Sequence, residues 1–408
     1  MFPDLLSGSA LMILAGVLML SIVAVMVFLI IRNAQDVKAR EDEKKRKKEK
    51  PRFARLGELD RRAGELRKGP EEDYKGTLSA FCSDFRDYAA AELGLYYAPG
   101  VIRAFVSSLA VTKLMVLQGV SGTGKTSLPY AFGKFICRDA AVVPVQPSWK
   151  DKSDILGYNN EFTDRFTETE LLYMLYEANL SKDVFVVILD EMNIARIEYY
   201  FADFLSLLEI PDPEARLIEV VSATRKSDPK LMKNGKLLIP ENVWFVGTAN
   251  NDDSTLAISD KVYDRAMVLE LSSRAEPFGA VNPGTRHVTC KDLSRMFEEA
   301  LRHGRMSDNM RAKIGLLDAV LVDRFGITFG NRILRQTEGF VPVFVEAGGT
   351  EEEAVDIILC KKVLRKLDNL NPVIVSARAD SLVKKINEIF GENAMPACLA
   401  YLAKYSGN

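Results

Sequence analysis

The chain has 408 residues, 54 Lys and Arg against 56 Asp and Glu, and 48% hydrophobic residues. A net charge of −2 gives no basis for unspecific nucleic-acid binding by the whole molecule, and the apolar fraction excludes a disordered chain. Five scattered cysteines without a CxxC, and only two histidines, argue against a disulfide framework, a zinc ribbon and Ser-His-Asp hydrolysis.

In chain order, residues 9–31 form an uncharged apolar run of 23 residues, about 34 Å as a helix at roughly 1.5 Å per residue. That exceeds the hydrocarbon core of a bilayer and predicts a transmembrane anchor over residues 1–31. Residues 32–68 then hold fifteen Lys and Arg against eight acids, including Lys44, Lys45, Arg46, Lys47 and Lys48. Basic residues behind a span stay inside. The expected placement is a single-pass membrane protein with its N-terminus outside and its bulk in the cytoplasm. The pairs Glu41/Lys45, Asp42/Arg46 and Glu43/Lys47 favour a helix, so residues 32–75 read as a basic helical stalk, with anionic lipid a natural contact.

From residue 76 the pattern is that of a folded body. Helical periodicity over 78–95 and 100–111 precedes strand candidates at 114–118, 141–145, 185–189, 243–247 and 266–271, alternating with helical segments. This predicts an α/β fold with a mostly parallel sheet over residues 76–275. After about residue 290 only helices are expected, at 291–303, 309–324, 331–339, 351–368 and 379–390, which makes residues 276–408 a helical domain.

The first strand runs into Gly119, Val120, Ser121, Gly122, Thr123, Gly124, Lys125, Thr126 and Ser127, a full G-x-x-x-x-G-K-[ST] between strand and helix. Glycines let successive N–H groups surround a phosphate, and the helix behind presents its positive end to the same group. Lys125 is expected at the β/γ phosphates and Thr126 on Mg2+. The third strand candidate ends in Asp190 and Glu191. Asp190 suits the metal shell, and Glu191 is placed to polarise an attacking water. The fourth ends in Asn250, which can orient that water.

In this order and spacing the three motifs resemble those of the AAA+ ATPases over roughly residues 76–408, with the glycine loop as Walker A and the Asp190 strand as Walker B. The finer likeness is to the McrB-type branch, beside the dynein-related and MoxR-like proteins. It is carried by Leu189, Asp190, Glu191, Met192, Asn193, Ile194, Ala195 and Arg196, and by the stretch 199–209 behind them. The resemblance implies a five-stranded parallel sheet in the order 5-1-4-3-2, a C-terminal helical lid, ATP and Mg2+ as ligands, and a ring, usually a hexamer. It places Asn250 at sensor 1, Arg265 as the arginine finger with Arg196 and Arg225 as rivals, and Arg332 as the sensor-2 arginine that couples lid angle to nucleotide. GTP-using McrB proteins carry Met-Asn-x-x-Asp-Arg at sensor 1; here Ala249 and Ser254 replace the methionine and the arginine, which makes ATP the default. A hairpin is expected between 217 and 240, and Trp149 and Tyr158 offer a second contact surface.

Three functions follow as expectations. The first is a membrane-anchored ATPase whose ring motions remodel or move a protein partner. The second is the motor subunit of a McrB-like defence system with a separate nuclease; DNA is possible there, although nothing in the sequence indicates it. The third is a nucleotide-gated membrane switch or scaffold.

Overall fold

The computed structural model describes residues 16, 18, 19, 22, 23, 25–38, 40, 51–66, 74–250, 255–271 and 275–406. Its centre is a five-stranded parallel sheet with order β2-β5-β8-β1-β9. These strands are β1 (Leu114–Gly119), β2 (Ala141–Pro144), β5 (Phe185–Asp190), β8 (Val243–Asn250) and β9 (Met267–Glu270). Two hairpins stand outside the sheet: β3 (Gly157–Asn160) with β4 (Arg165–Glu168), and β6 (Leu217–Glu219) with β7 (Lys236–Leu238). The expected string 5-1-4-3-2 counted five strands. It is corrected to β9-β1-β8-β5-β2, because the hairpins take four numbers in the chain without joining the sheet.

Both faces of the sheet are buried, as the near-continuous apolar strands demand. Met115 and Leu117 of β1 enter one core, with Val186, Ile188, Trp244 and Val246. Leu114 and Val116 enter the other, with Val187, Leu189, Val243 and Phe245. Helices Leu78–Leu93, Pro99–Val111 and Ser127–Phe135 cover the first face, and that core continues without a break into the C-terminal helices. On the second face lie helices Glu170–Ala178 and Ala202–Leu207, both hairpins and the N-terminal helix Arg55–Leu66.

That N-terminal helix departs from a solvated stalk. Phe53, Leu56 and Leu59 are buried, and the Phe53 ring stacks on Phe166. The Glu168 carboxylate accepts from the amides of Ala54, Arg55 and Leu56 at 2.8–3.0 Å, which caps the helix start. Arg52 is itself buried, with an ion pair to Asp228 at 2.7 Å. The Lys44–Lys48 run lies outside the described residues.

Among the described residues, no helix is long and apolar enough to cross a membrane. Residues 9–15, 17, 20, 21 and 24 of the run lie outside the described residues. The transmembrane helix, the membrane as a partner and the single-pass placement are therefore withdrawn.

The C-terminal helices are Cys290–His303, Asp308–Phe325, Asn331–Glu346, Glu351–Ile358, Pro372–Phe390 and Pro396–Ala403. Helix Asn331–Glu346 runs through Pro342, beyond the expected stop at 339, because Phe340, Val341, Val343 and Phe344 are all buried and packing outweighs the lost N–H. The expected helix 351–368 instead breaks into an α-helix, a π-helical turn Leu359–Val363 and a 3-10 turn Leu364–Asn369.

Candidate functional site

The loop after β1 is shaped by glycine. Gly119, Gly122 and Gly124 have φ of 145°, 80° and 91°, a region costly for side chains. A Cβ on Gly119 would also strike the Leu271 carbonyl. Lys125 is 7% exposed, and its ammonium donates to the carbonyls of Gly119 (3.0 Å) and Val120 (2.7 Å), bridging the loop from within. Val120 is exposed at the loop's crest, where Thr123 donates back to its carbonyl. Ser121 is exposed beside it.

Thr126 is the N-cap of helix Ser127–Phe135, yet its hydroxyl does not cap it. It donates to Asp190 Oδ1 at 2.7 Å. The Thr248 hydroxyl reaches the same oxygen at 2.8 Å and accepts from the Glu191 amide at 2.9 Å. Two strands and the start of a helix thus bring one carboxylate and two hydroxyls together beside the glycine loop, a hard-oxygen set that fits Mg2+. Sequence reasoning misses Thr248; the available signal is its alternation with Asn250 on one strand face.

Glu191 follows as an exposed residue with φ 53° and ψ 45°, left-handed without being glycine. Such strain persists only where the surroundings hold it. Next to it Met192 is fully buried against Gly247, where any side chain would collide with its sulfur. Asn250 lies opposite Gly119 in the β1–β8 register, at the phosphate-loop end of the sheet. Its carbonyl accepts from Asn193 Nδ2 at 3.0 Å and Thr255 Oγ1 at 2.9 Å. Asn193 also donates to the Leu256 carbonyl at 3.1 Å, a tie that no sequence pattern signals. Asp253 and Ser254 lie outside the described residues.

A cavity of about 1000 Å³ opens beside this end of the sheet. Gln118, Asn193, Asn250 and Leu271 line one wall, and Cys360, Lys361, Arg365 and Asp368 from the C-terminal region line another.

Arg265 and Arg332 occupy the other end. The Thr112 hydroxyl donates to the Arg265 carbonyl at 3.0 Å, and Met115 stands opposite Met267, so Arg265 is level with the start of β1. Six residues of strand, about 20 Å at roughly 3.3 Å each, separate it from Gly119. Arg265 Nε lies 2.9 Å from Glu209 Oε2, at an angle too poor for a hydrogen bond. Arg332 pairs with Oε1 of the same Glu209. Arg332 therefore stands far from its own chain's phosphate loop, not over it. Lys113, Arg216, Arg335 and the buried Gln336 share the cavity of about 610 Å³ around this pair.

Of the rival arginines, Arg225 makes a bidentate pair with Asp164 at 2.6 and 3.0 Å, linking the tips of the two hairpins, and Arg196 is exposed. Trp149 packs edge-on against Tyr200, whereas Tyr158 is exposed on β3. Phe162, at the tip of that hairpin, is 96% exposed and carries no sequence motif that would single it out.

No family model matches the chain. A curated relative, the Type IV methyl-directed restriction enzyme EcoKMcrB subunit of Escherichia coli (strain K12), is 22% identical over 173 residues. That match covers 41% of this chain and only 36% of the relative's length. Among solved structures, a candidate ATPase from Cytophaga hutchinsonii aligns with a TM-score of 0.47 at 11% identity, over 86% of this chain and 98% of that one. A full-length MCM homolog from Methanopyrus kandleri aligns with a TM-score of 0.39 at 11% identity, over 76% and 61%. The parallel sheet with its glycine loop and acidic strand end, together with the McrB likeness, makes the fold AAA+ ATPase-like.

Proposed function

We propose that this chain binds ATP with Mg2+ and hydrolyses it in sites completed between copies of itself. The observation that carries the reading is the convergence of Thr126 and Thr248 on Asp190 at the mouth of the loop that Lys125 bridges. Loop amides and Lys125 would bind the phosphates, and Thr126 and Asp190 would hold the metal. Mg2+ there would neutralise charge building on the phosphate oxygens. Glu191 accepts the proton of the attacking water, with Asn250 beside it to orient that water.

Arg265 and Arg332 lie too far from their own loop to serve it. In an assembly of copies, usually a hexamer in this class, they would enter the neighbour's site as a paired cation and stabilise charge on the transferring group. In this reading residues 32–75 form a linker, 76–275 the nucleotide-binding domain and 276–408 the lid, whose movement on hydrolysis remodels or moves a partner. Lys125→Ala should abolish nucleotide binding; tight ATP binding by that variant would refute the assignment.

A second reading is favoured by the restriction-enzyme relative: a motor subunit that works with a separate nuclease. Stimulation of turnover by DNA would support it, and no response to single-stranded, duplex or methylated DNA would rule it out.

A further inference from the structure

Lys362 is 3% exposed, and its ammonium ends among main-chain carbonyls. It donates to Tyr263 O at 2.7 Å, to Ala266 O and, more weakly, to Asp264 O at 3.4 Å. These carbonyls close helix Asp260–Tyr263 and form the turn that carries Arg265. Burial opposes the lysine's charge and draws its pKa down to about 7.

The local backbone explains how a lysine arrives there. Lys362 lies in the π-helical turn Leu359–Val363, and such turns insert a residue and re-aim side chains, often at functional sites. The same stretch grips the Arg265 segment at both ends. Lys361 pairs with Glu270 at the close of β9. Arg365 pairs with Asp260 at 2.5 Å and covers the Tyr263 ring, and Asn369 donates to Asp260 at 2.8 Å. Meanwhile Cys360, Lys361 and Arg365 line the cavity that reaches Gln118 and Asn250 at the phosphate-loop end. One short stretch therefore borders the chain's own candidate site and holds the arginine of the far end.

We propose that Lys362 is a positioning residue: it ties the C-terminal helices to the Arg265 turn, so that their shift over one copy's nucleotide resets the arginine offered to the next copy. This rests on the reading of Arg265 as acting on a neighbouring copy.

The test is a double-mutant cycle on the full chain with Lys362→Met and Arg265→Ala, reading steady-state ATP turnover, the Kd of a fluorescent ATP analogue and the melting curve. Lys362→Met is expected to lower kcat about tenfold with Kd unchanged, and to cost nothing further in the Arg265→Ala background. Parent-like turnover in Lys362→Met beside a crippled Arg265→Ala, or losses that multiply in the double variant, would overturn this inference and leave the trans arginine standing. Full turnover in Arg265→Ala would bring down both. Should Lys362→Met lose its cooperative melt, Lys362→Gln, which loses the cation and the reach to all three carbonyls but stays polar, enters the same cycle, and the same results support or overturn the inference.

Discussion

The two ends of the central sheet are built in opposite ways. At the carboxyl end, the glycine loop, Asp190, Glu191 and Asn250 all follow directly from strands, and backbone register alone brings them together. At the amino end, Arg265, Arg332 and Glu209 come from a turn, a distant helix and the end of a third segment, and only side-chain ion pairs join them. The first arrangement tolerates little motion because hydrogen-bonded strands hold it. The second has half-exposed charges, whose pairing is weak and easily exchanged for another anion. A preformed glycine loop at one end and an exchangeable cation pair at the other suit the proposed reading, in which a neighbouring copy finishes the site.

The largest effect should come from Lys125→Ala, which removes the cation that bridges the loop. Equilibrium binding of an ATP analogue should vanish along with turnover. Arg265→Ala probes the opposite end and should leave that binding intact while kcat falls about a thousandfold, the scale of a lost arginine finger. Restored turnover on mixing Arg265→Ala with Lys125→Ala protein would sharpen the contrast, since each copy then supplies what the other lacks. Absence of any rescue would place both ends in one copy's chemistry.

Thr248→Val keeps the strand's shape but removes the hydroxyl shared by Asp190 and the Glu191 amide. About tenfold lower kcat is expected, corresponding to about 1.4 kcal/mol, with an unchanged melting temperature. Arg52→Ala provides a control away from both ends. It leaves Asp228 buried without its partner and should destabilise by about 3 kcal/mol in urea titration, with nucleotide affinity kept.

The smallest effect is one of pH. Burial lowers Lys362 to about 7 and Lys113 to about 8 from 10.5. Asp264, Arg365, Arg332 and Lys366 face the first; Cys290, Glu241 and Arg216 face the second. Below pH 7 both lysines are charged in either state, and the folded chain bears the whole cost of burying them. Above it the folded chain releases protons that the unfolded chain still binds, so stability rises from about pH 7 toward 10. Melting temperatures at pH 6.5 and 8.5 should show that rise, and Lys362→Met should flatten it.

The carboxyl end is legible in the sequence because its chemistry is local: a glycine spacing and two polar strand ends are visible in a string of letters. Thr248 is hidden by its ordinary identity, since a threonine inside a strand carries no signal until register sets it beside Asp190. The pairing of Arg332 with Glu209 is hidden because a helix-start arginine reveals nothing of the side to which its helix docks. The apolar run 9–31 reads as a membrane span by length alone; no described helix is long and apolar enough for that. The basic segment behind it looks solvated, yet Phe53, Leu56 and Leu59 supply a buried edge that its charge count masks.

By itself, then, the sequence determined the strand–loop–helix around its three glycines, the acidic strand end and the alternation that buries both faces of a sheet, because each depends on neighbours a few residues apart. The tertiary structure alone decided which end of the sheet receives Arg332, which carboxylate it shares with Arg265, and that a π-helical turn drives Lys362 into the carbonyls beneath that arginine. Those outcomes depend on how helices dock across a common core, and docking is settled by the packing of many side chains together rather than by any one of them.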